Sequence, residues 1–293
     1  MNRSRLICIA ATLFVGVCLI APSASLGQEI APTDAGNAID GVYGYGLPPM
    51  VSKDGQRVDN LIIIIHWFMI ALFSGWAIFF VYCLMRFRAK AGHKASYKPI
   101  KAKVSKYAEI GVAAFEAFLL IGLSMPIWAA TKIGIPSKDE ATHVRVLAEQ
   151  FQWNFHYPGA DGKFGRTAPE KVDTVENPLG LDRSDPAAAD DVYATELHLP
   201  VNRPVICELT SKDVIHSFSL PVMRVKQDVF PGMRIPVWFT PIKAGRYEVA
   251  CAQLCGNNHY SMRAEMVIED DASFATWLEE VSKVEEFDED ELD

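Results

Sequence analysis

Positive charge is scarce in this chain: 28 Lys and Arg stand against 36 Asp and Glu, a net charge of −8. That balance argues against general nucleic-acid binding, which needs a surplus of cations to neutralise phosphates. A Cys-x-x-Cys-His run is missing too, so the chain carries no covalently attached haem, and no metal site with an open position is evident. Between Leu61 and Met85 there is no Asp, Glu, Lys or Arg at all. Such a stretch is long enough to cross a bilayer with some tilt. What is present points the same way. Hydrophobic residues make up 50%, charged 22% and aromatic 11% of 293 residues, which excludes a disordered or collagen-like chain. A mean hydropathy of +0.10 fits a few spans joined to a water-soluble domain.

The charge is unevenly spread. Residues 1–106 carry 12 Lys+Arg against 5 Asp+Glu, and the remainder 16 against 31. Residues 1–27 read as a signal peptide: Arg3 and Arg5, an apolar core from Leu6 to Ile20, then small residues from Ala21 to Gly27. Residues 28–60, rich in Gly and Pro, read as a linker or loosely packed arm. Residues 61–135 form a two-helix transmembrane hairpin, its second apolar stretch running from about Ile110 to Ile133 and interrupted by Glu116 and Pro126. The loop between the spans carries Arg86, Arg88, Lys90, Lys94, Lys98, Lys101, Lys103 and Lys106 with no acid among them. The positive-inside rule places that loop in the cytoplasm. Both ends of the mature chain then lie outside, in agreement with the signal peptide. His66 is read as an interfacial residue near the outer helix end, and Glu116 as facing protein rather than lipid.

Residues 142–270 have the pattern of short strands separated by turns. Val144, Val146 and Ala148 alternate on one parity and Phe151, Trp153, Phe155 and Tyr157 on the other, so a bulge or bend is expected near Glu149-Gln150. Further strands are expected at 193–199, 204–209, 214–220, 234–240, 245–250 and 263–268, with a long insertion loop at 158–191. This is the pattern of a β-sandwich or barrel. Residues 271–293 read as an acidic tail: the last 15 residues, with nine acids and one Lys, read as a solvated helix end running into a disordered tail.

The chemistry is concentrated in Cys251-Ala-Gln253-Leu-Cys255-Gly-Asn-Asn-His259-Tyr-Ser-Met262, with His216 on an earlier strand-end segment. Thiolate, thioether and imidazole together suit copper. A Cys251–Cys255 disulfide leaves His259 and Met262 unexplained. A structural zinc site has no use for Met262, and a mononuclear blue-copper site needs only one Cys. Two sulfurs four residues apart can instead bridge two copper ions, each completed by one His and one weaker ligand. Such a centre shares one electron over two metals and is a relay rather than a site for substrate.

His216 followed by Cys-x-x-x-Cys-x-x-x-His-x-x-Met, on a β-domain behind a two-helix hairpin, resembles subunit II of cytochrome c oxidase. The likeness covers residues 60–270 and includes Val225-Lys226-Gln227-Asp228, Pro231-Gly232 and Gly245-x-Tyr247. The resemblance implies a cupredoxin-like β-sandwich bearing a dinuclear copper A centre. In it Cys251 and Cys255 bridge the coppers, His216 and His259 are terminal ligands, Met262 is the weak axial ligand, and Gln253 offers its backbone carbonyl. It implies a proton-uptake glutamate at Glu109, seventeen residues before Pro126, where a solvated helix-start acid is the plainer reading. Gln253 stands where the family usually has Glu, which helps bind magnesium; a neutral amide is a weaker ligand for that hard cation and counts against magnesium here. The Trp at which electrons usually arrive is replaced by Phe151, with Trp153 either part of that route or core. Asp213 is either a docking acid for the donor or an ordinary turn residue. The function implied is acceptance of electrons from cytochrome c outside a bacterial-type inner membrane and delivery to haem in catalytic subunit I, where oxygen is reduced with proton transport. A copper A subunit of a nitric oxide reductase is the alternative. A quinol oxidase subunit would lack the copper ligands, and a soluble shuttle would lack the spans.

Overall fold

The structure, a computed structural model, describes residues 47–290 except 93, 95, 96, 98–102, 160 and 175, and leaves out the side chains of 283–290. The expected signal peptide, residues 28–46 of the arm, and Lys98 and Lys101 of the basic loop lie outside the described residues. The chain divides into a helical unit around residues 59–127 and a second unit that holds residues 128–290 with the segment before residue 59.

The helical unit contains most of α1 (Gly55–Phe87) and α2 (Lys103–Lys132), both long and apolar enough to cross a membrane. Their apolar residues are not confined to one face: Phe73, Trp76, Ile78 and Met85 of α1 and Leu120 and Ile121 of α2 are all exposed. A helix apolar all round needs a buried or lipid environment. The two helices touch where the Phe68 and Phe115 rings lie 4.6 Å apart. Within α2, Phe118–Ser124 widens to a π-helical segment, and the Met125 N–H bonds the Leu120 carbonyl five residues back. Pro126 explains the widening: it has no N–H, and its ring would clash with the carbonyl four residues earlier in a regular helix.

The second unit is a sandwich of two five-stranded sheets, ordered β3-β2-β1-β5-β8 and β4-β10-β9-β6-β7. The first sheet comprises β1 (Thr142–Glu149), β2 (Gln152–Tyr157), β3 (Val192–Ala194), β5 (Val205–Ser211) and β8 (Ile235–Phe239). The second comprises β4 (Leu197–Pro200), β6 (His216–Leu220), β7 (Val225–Val229), β9 (Gly245–Cys251) and β10 (Arg263–Glu269). Their inward residues form one core, from Val144, Val146 and Ala148 through Trp153, Phe155 and Tyr157 to Phe218, Leu220, Val249 and Met266. The β1–β5 and β4–β10 pairs are parallel and the rest antiparallel.

Four local features differ from the sequence reading. The phase change at Glu149-Gln150 is a complete reversal rather than a bulge: Glu149 pairs with Gln152, so β1 and β2 form a hairpin. A two-residue turn shifts inward parity just as a bulge does, so alternation alone does not separate them. The strand expected at 193–199 is two strands in different sheets, because the chain crosses the sandwich between Ala194 and Leu197. The described end of the arm is fixed to the sandwich: Val51 is fully buried and exchanges backbone hydrogen bonds with Val222 and Ile242. The segment after residue 270 is helix α3 (Asp271–Asp290), and its first turns place Phe274, Trp277 and Leu278 on the core. An acidic composition concealed that stripe, since the apolar residues are few and grouped at one end of the helix.

Candidate metal centre

The site is built at one end of the second sheet. Strand β6 begins at His216 and β9 ends at Cys251, and Phe218 pairs directly with Cys251. The pairing brings to one edge two side chains 35 residues apart. Residues 252–262 then loop back to β10, closed by hydrogen bonds from the Cys251 N–H to the Met262 carbonyl and from the Ala252 N–H to the Ser217 carbonyl. A one-turn helix at His259–Ser261 turns His259 toward the thiols.

Within this loop the donor atoms converge. The two Sγ atoms are unbonded and 3.8 Å apart. His216 Nδ1 lies 3.9 Å from Cys251 Sγ and 3.2 Å from Met262 Sδ. His259 Nδ1 lies 3.5 Å from Cys255 Sγ, and Met262 Sδ 3.8 Å from the same sulfur. The Gln253 carbonyl is 3.2 Å from Cys251 Sγ. The structure therefore gathers all six sequence-expected metal-ligating groups around the sulfur pair. His216, Cys251 and Cys255 form the one His/Cys/Asp/Glu cluster among the described residues with donor atoms close enough to hold an ion together. His216 and Met262 are buried, while Gln253 is exposed, so the site has a dry back and a wet front.

The donor set fits copper on its own chemistry. Two thiol sulfurs, two imidazole Nδ1 atoms and a thioether are soft and borderline ligands, and no carboxylate lies among them to favour a hard cation. Burial pushes the Cys255 thiol up to about 11, and the hydrogen bond and charge of Cys251 act in the same direction. Metal binding to these thiols must therefore expel their protons.

Outside the donor set, the remaining sequence candidates sort clearly. Burial would raise the Asp213 pKa, but hydrogen bonds from His216 and the Gln150 and Val214 N–H groups outweigh it and hold the carboxyl below the ordinary range. Asp213 Oδ1 is 2.8 Å from His216 Nε2, so this carboxylate fixes which ring nitrogen faces the sulfurs. The docking acid of the sequence reading is thus turned toward the site as much as toward solvent. Trp153 is fully buried, its ring edge-on to His216 at 6.2 Å and to Phe218 at 5.5 Å. Phe151, half-buried, lies over the sulfur loop at Gly256. A Cβ there would come within 2.7 Å of Gln150 Nε2 and 2.9 Å of Phe151 Cζ, and the glycine φ is +143°. Gln150 also donates through Nε2 to the Cys255 carbonyl. These supports by Gln150 and Gly256 were missed in the sequence; Gly directly after a ligand Cys is the one signal that could have shown the second. Glu109 sits in the second turn of α2, accepting from the Ser105 hydroxyl at 3.1 Å. His66 in α1 is hydrogen-bonded to the Ile62 carbonyl one turn back.

Comparison with known proteins places the chain in a family. The sequence model of the family described as "Cytochrome C oxidase subunit II, periplasmic domain" matches residues 143–270. The alternative cytochrome c oxidase subunit 2 of Bradyrhizobium diazoefficiens is 36% identical over 232 residues, covering 78% of this chain and 82% of the relative. Cytochrome c oxidase subunit 2 of Cereibacter sphaeroides is 27% identical over 288 residues, covering 89% and 88%. A crystal structure of the periplasmic domain of subunit II of cytochrome oxidase from Bradyrhizobium japonicum matches at 30% identity, covering 51% of this chain and 97% of that one, with a TM-score of 0.38. The relative that is 36% identical across 82% of its own length shows that the chain belongs to the cytochrome c oxidase subunit II family.

Proposed function

We propose that this chain is the electron-accepting subunit of a membrane-bound haem–copper oxidase and that its sulfur loop holds a dinuclear copper A centre. The observation that carries the reading is the pair of unbonded thiols 3.8 Å apart, flanked by one imidazole on each side. One ion would leave one of the two sulfurs without a task; two ions use both as bridges. When bound, the copper pair supplies a one-electron relay between a reduced cytochrome c and haem in the catalytic subunit. The other residues orient and shield. Cys251, Cys255, His216 and His259 would hold the copper, with Met262 and the Gln253 carbonyl as the weaker donors. Asp213 holds the His216 ring, and Trp153 and Phe218 pack the dry side, so little can move when charge arrives.

The two apolar helices anchor the chain in the bacterial inner membrane, with the basic loop cytoplasmic and the sandwich outside. The signal peptide at 1–27 is part of this reading. Phe151, packed on the sulfur loop at Gly256, is the aromatic through which electrons arrive, and buried Trp153 supports it from within. Glu109, at the cytoplasmic end of α2, takes up protons, and catalytic subunit I completes that route. Magnesium is not assigned, because Gln253 offers an amide in place of a carboxylate. A copper A subunit of a nitric oxide reductase would share the ligands, but the relatives bear cytochrome c oxidase names.

Copper analysis of the purified full chain should give two ions per chain, and electron paramagnetic resonance of the oxidised form should show one electron shared equally between two nuclei. Cys255→Ser should abolish that shared signal; a retained dinuclear spectrum would overturn the bridging assignment. Glu109→Ala should slow oxygen reduction by the assembled complex while leaving the copper spectrum unchanged, and undiminished turnover would remove Glu109 from the proton route.

A further inference from the structure

The insertion at 158–191 does more than decorate the sandwich. It folds back over the outward face of the first sheet and encloses a slot of about 420 Å³. Arg145 of β1 and Glu208 of β5 make the floor, with Arg234 just before β8 and Lys212 just beyond the end of β5. The roof is Pro169, Val172 and Leu179 of the insertion. The roof has its own supports. Leu179, Leu181 and Ala188 form a small separate core with Leu147 and Tyr193. Buried Asp191 takes hydrogen bonds from His156 and the Gly165 N–H, both at 2.7 Å, and Arg145 lies 4.1 Å over the Phe164 ring. Pockets of this size take small organic molecules when an apolar wall faces a few fixed polar groups.

The charges in the slot favour one class of ligand. Its lining holds three cations, Arg145, Lys212 and Arg234, against one carboxylate, Glu208, and of the three Lys212 is already paired with Glu149 at 2.9 Å. That carboxylate is shared: Arg145 Nε is 3.4 Å from one of its oxygens and Arg234 Nη1 is 3.2 Å from the other. A guanidinium has five N–H donors. Arg145 uses one on Glu208 and one on the Gly165 carbonyl, and Arg234 one on Glu208, which leaves forked donors on both for a second carboxylate. Burial and then the neighbouring Arg234 lower the Arg145 pKa, so an added anion would relieve a repulsion already present. We propose that the slot binds a small organic carboxylate, its charged head on the Arg145–Arg234 pair and its apolar body under Val172 and Leu179. None of the six donor residues lines the slot, so it is distinct from the donor set.

Equilibrium dialysis of 2-naphthoate and of its neutral analogue 2-naphthamide against the copper-loaded full chain in phosphatidylcholine nanodiscs tests this, with chain-free nanodiscs as background. The expected result is saturable binding of one naphthoate per chain, with the amide at least tenfold weaker. Arg234→Gln and, separately, Val172→Asp should each weaken naphthoate at least tenfold while copper content stays the same; Val172 is exposed enough for its variant to keep the fold. Absence of saturable binding, equal affinity for the amide, or undiminished affinity in both variants would overturn the proposal.

Discussion

At the scale of the residue, the centre depends on side chains that never touch a metal. Asp213 holds His216 through Nε2, and loss of a carboxylate that orients a ligating imidazole commonly costs roughly ten- to a hundredfold in metal affinity. Asp213→Ala should therefore lower copper affinity by about that factor in chelator competition, with both thiols intact; unchanged affinity would show that the ring is held by packing against Trp153 alone. Gly256→Ala should be worse than a surface Gly→Ala, because its φ of +143° and the contacts of 2.7 and 2.9 Å admit no Cβ; about 1–3 kcal/mol of strain is expected, read as a drop in thermal midpoint. Cys207, inside β5, bears on pH rather than on metal. Burial pushes its thiol up to about 12, whereas an unfolded thiol titrates near about 8.5. The folded state thus keeps a proton that the unfolded chain loses. Its contribution is complete below about pH 8.5 and is lost as pH rises through about 12, at up to ~1.4 kcal/mol per pH unit. Buried Tyr157, also raised mainly by desolvation, acts in the same direction. Alkaline unfolding of Cys207→Ala should accordingly be shallower than wild type over that window.

At the scale of the element, helix α3 decides a question that composition left misread. Trp277 stacks on His198 with ring centroids 3.9 Å apart and meets Tyr157 edge-on at 5.1 Å. His198 is in turn 2.9 Å from Glu269. Removing residues 271–293 should destabilise the sandwich rather than trim a tail, and Trp277→Ala should cost about 2 kcal/mol, below the ~3–5 of a fully buried Trp. Chemical denaturation of the copper-free chain reads both; unchanged midpoints would return α3 to the status of an appendage. The β1–β2 hairpin teaches the same lesson. Its residues were legible as strands from alternation, but its reversal was not, because the parity change at Glu149-Gln150 is the same for a bulge and a two-residue turn. The split between β3 and β4 was hidden for a related reason: Val192 to Pro200 is continuous in its β-forming character, and only the neighbours on each side assign Ala194 and Leu197 to different sheets.

At the scale of the whole molecule, charge is unevenly spread: the segment between the apolar stretches holds eight Lys and Arg and no acid, whereas residues beyond 106 carry 31 acids against 16 Lys and Arg. If the sandwich meets a basic cytochrome c, turnover of the assembled oxidase should fall as ionic strength rises, since screening at about 0.15 M reaches to roughly 8 Å. Salt-independent turnover would mean that docking is apolar. The two helices expose apolar side chains all round, as lipid requires, whereas the sandwich buries its aromatics and presents Lys, Arg, Asp and Glu.

Whatever depends on near neighbours along the chain was legible from the residues alone. Two apolar runs, the first of them free of charge, set the helices, and a twelve-residue loop set five of the six donor groups, because these are spaced to fold onto one another within a single turn-rich segment. Whatever depends on strands meeting from afar became visible in the folded chain. His216 reaches the thiols because β6 pairs with β9, Asp213 and Gln150 become supports because β1, β5 and β6 end at the same edge, and the Arg145–Arg234 slot exists because an insertion closes over residues 89 apart. No local pattern encodes such meetings: they arise from burying two sheet faces against each other, a collective effect of the entire core.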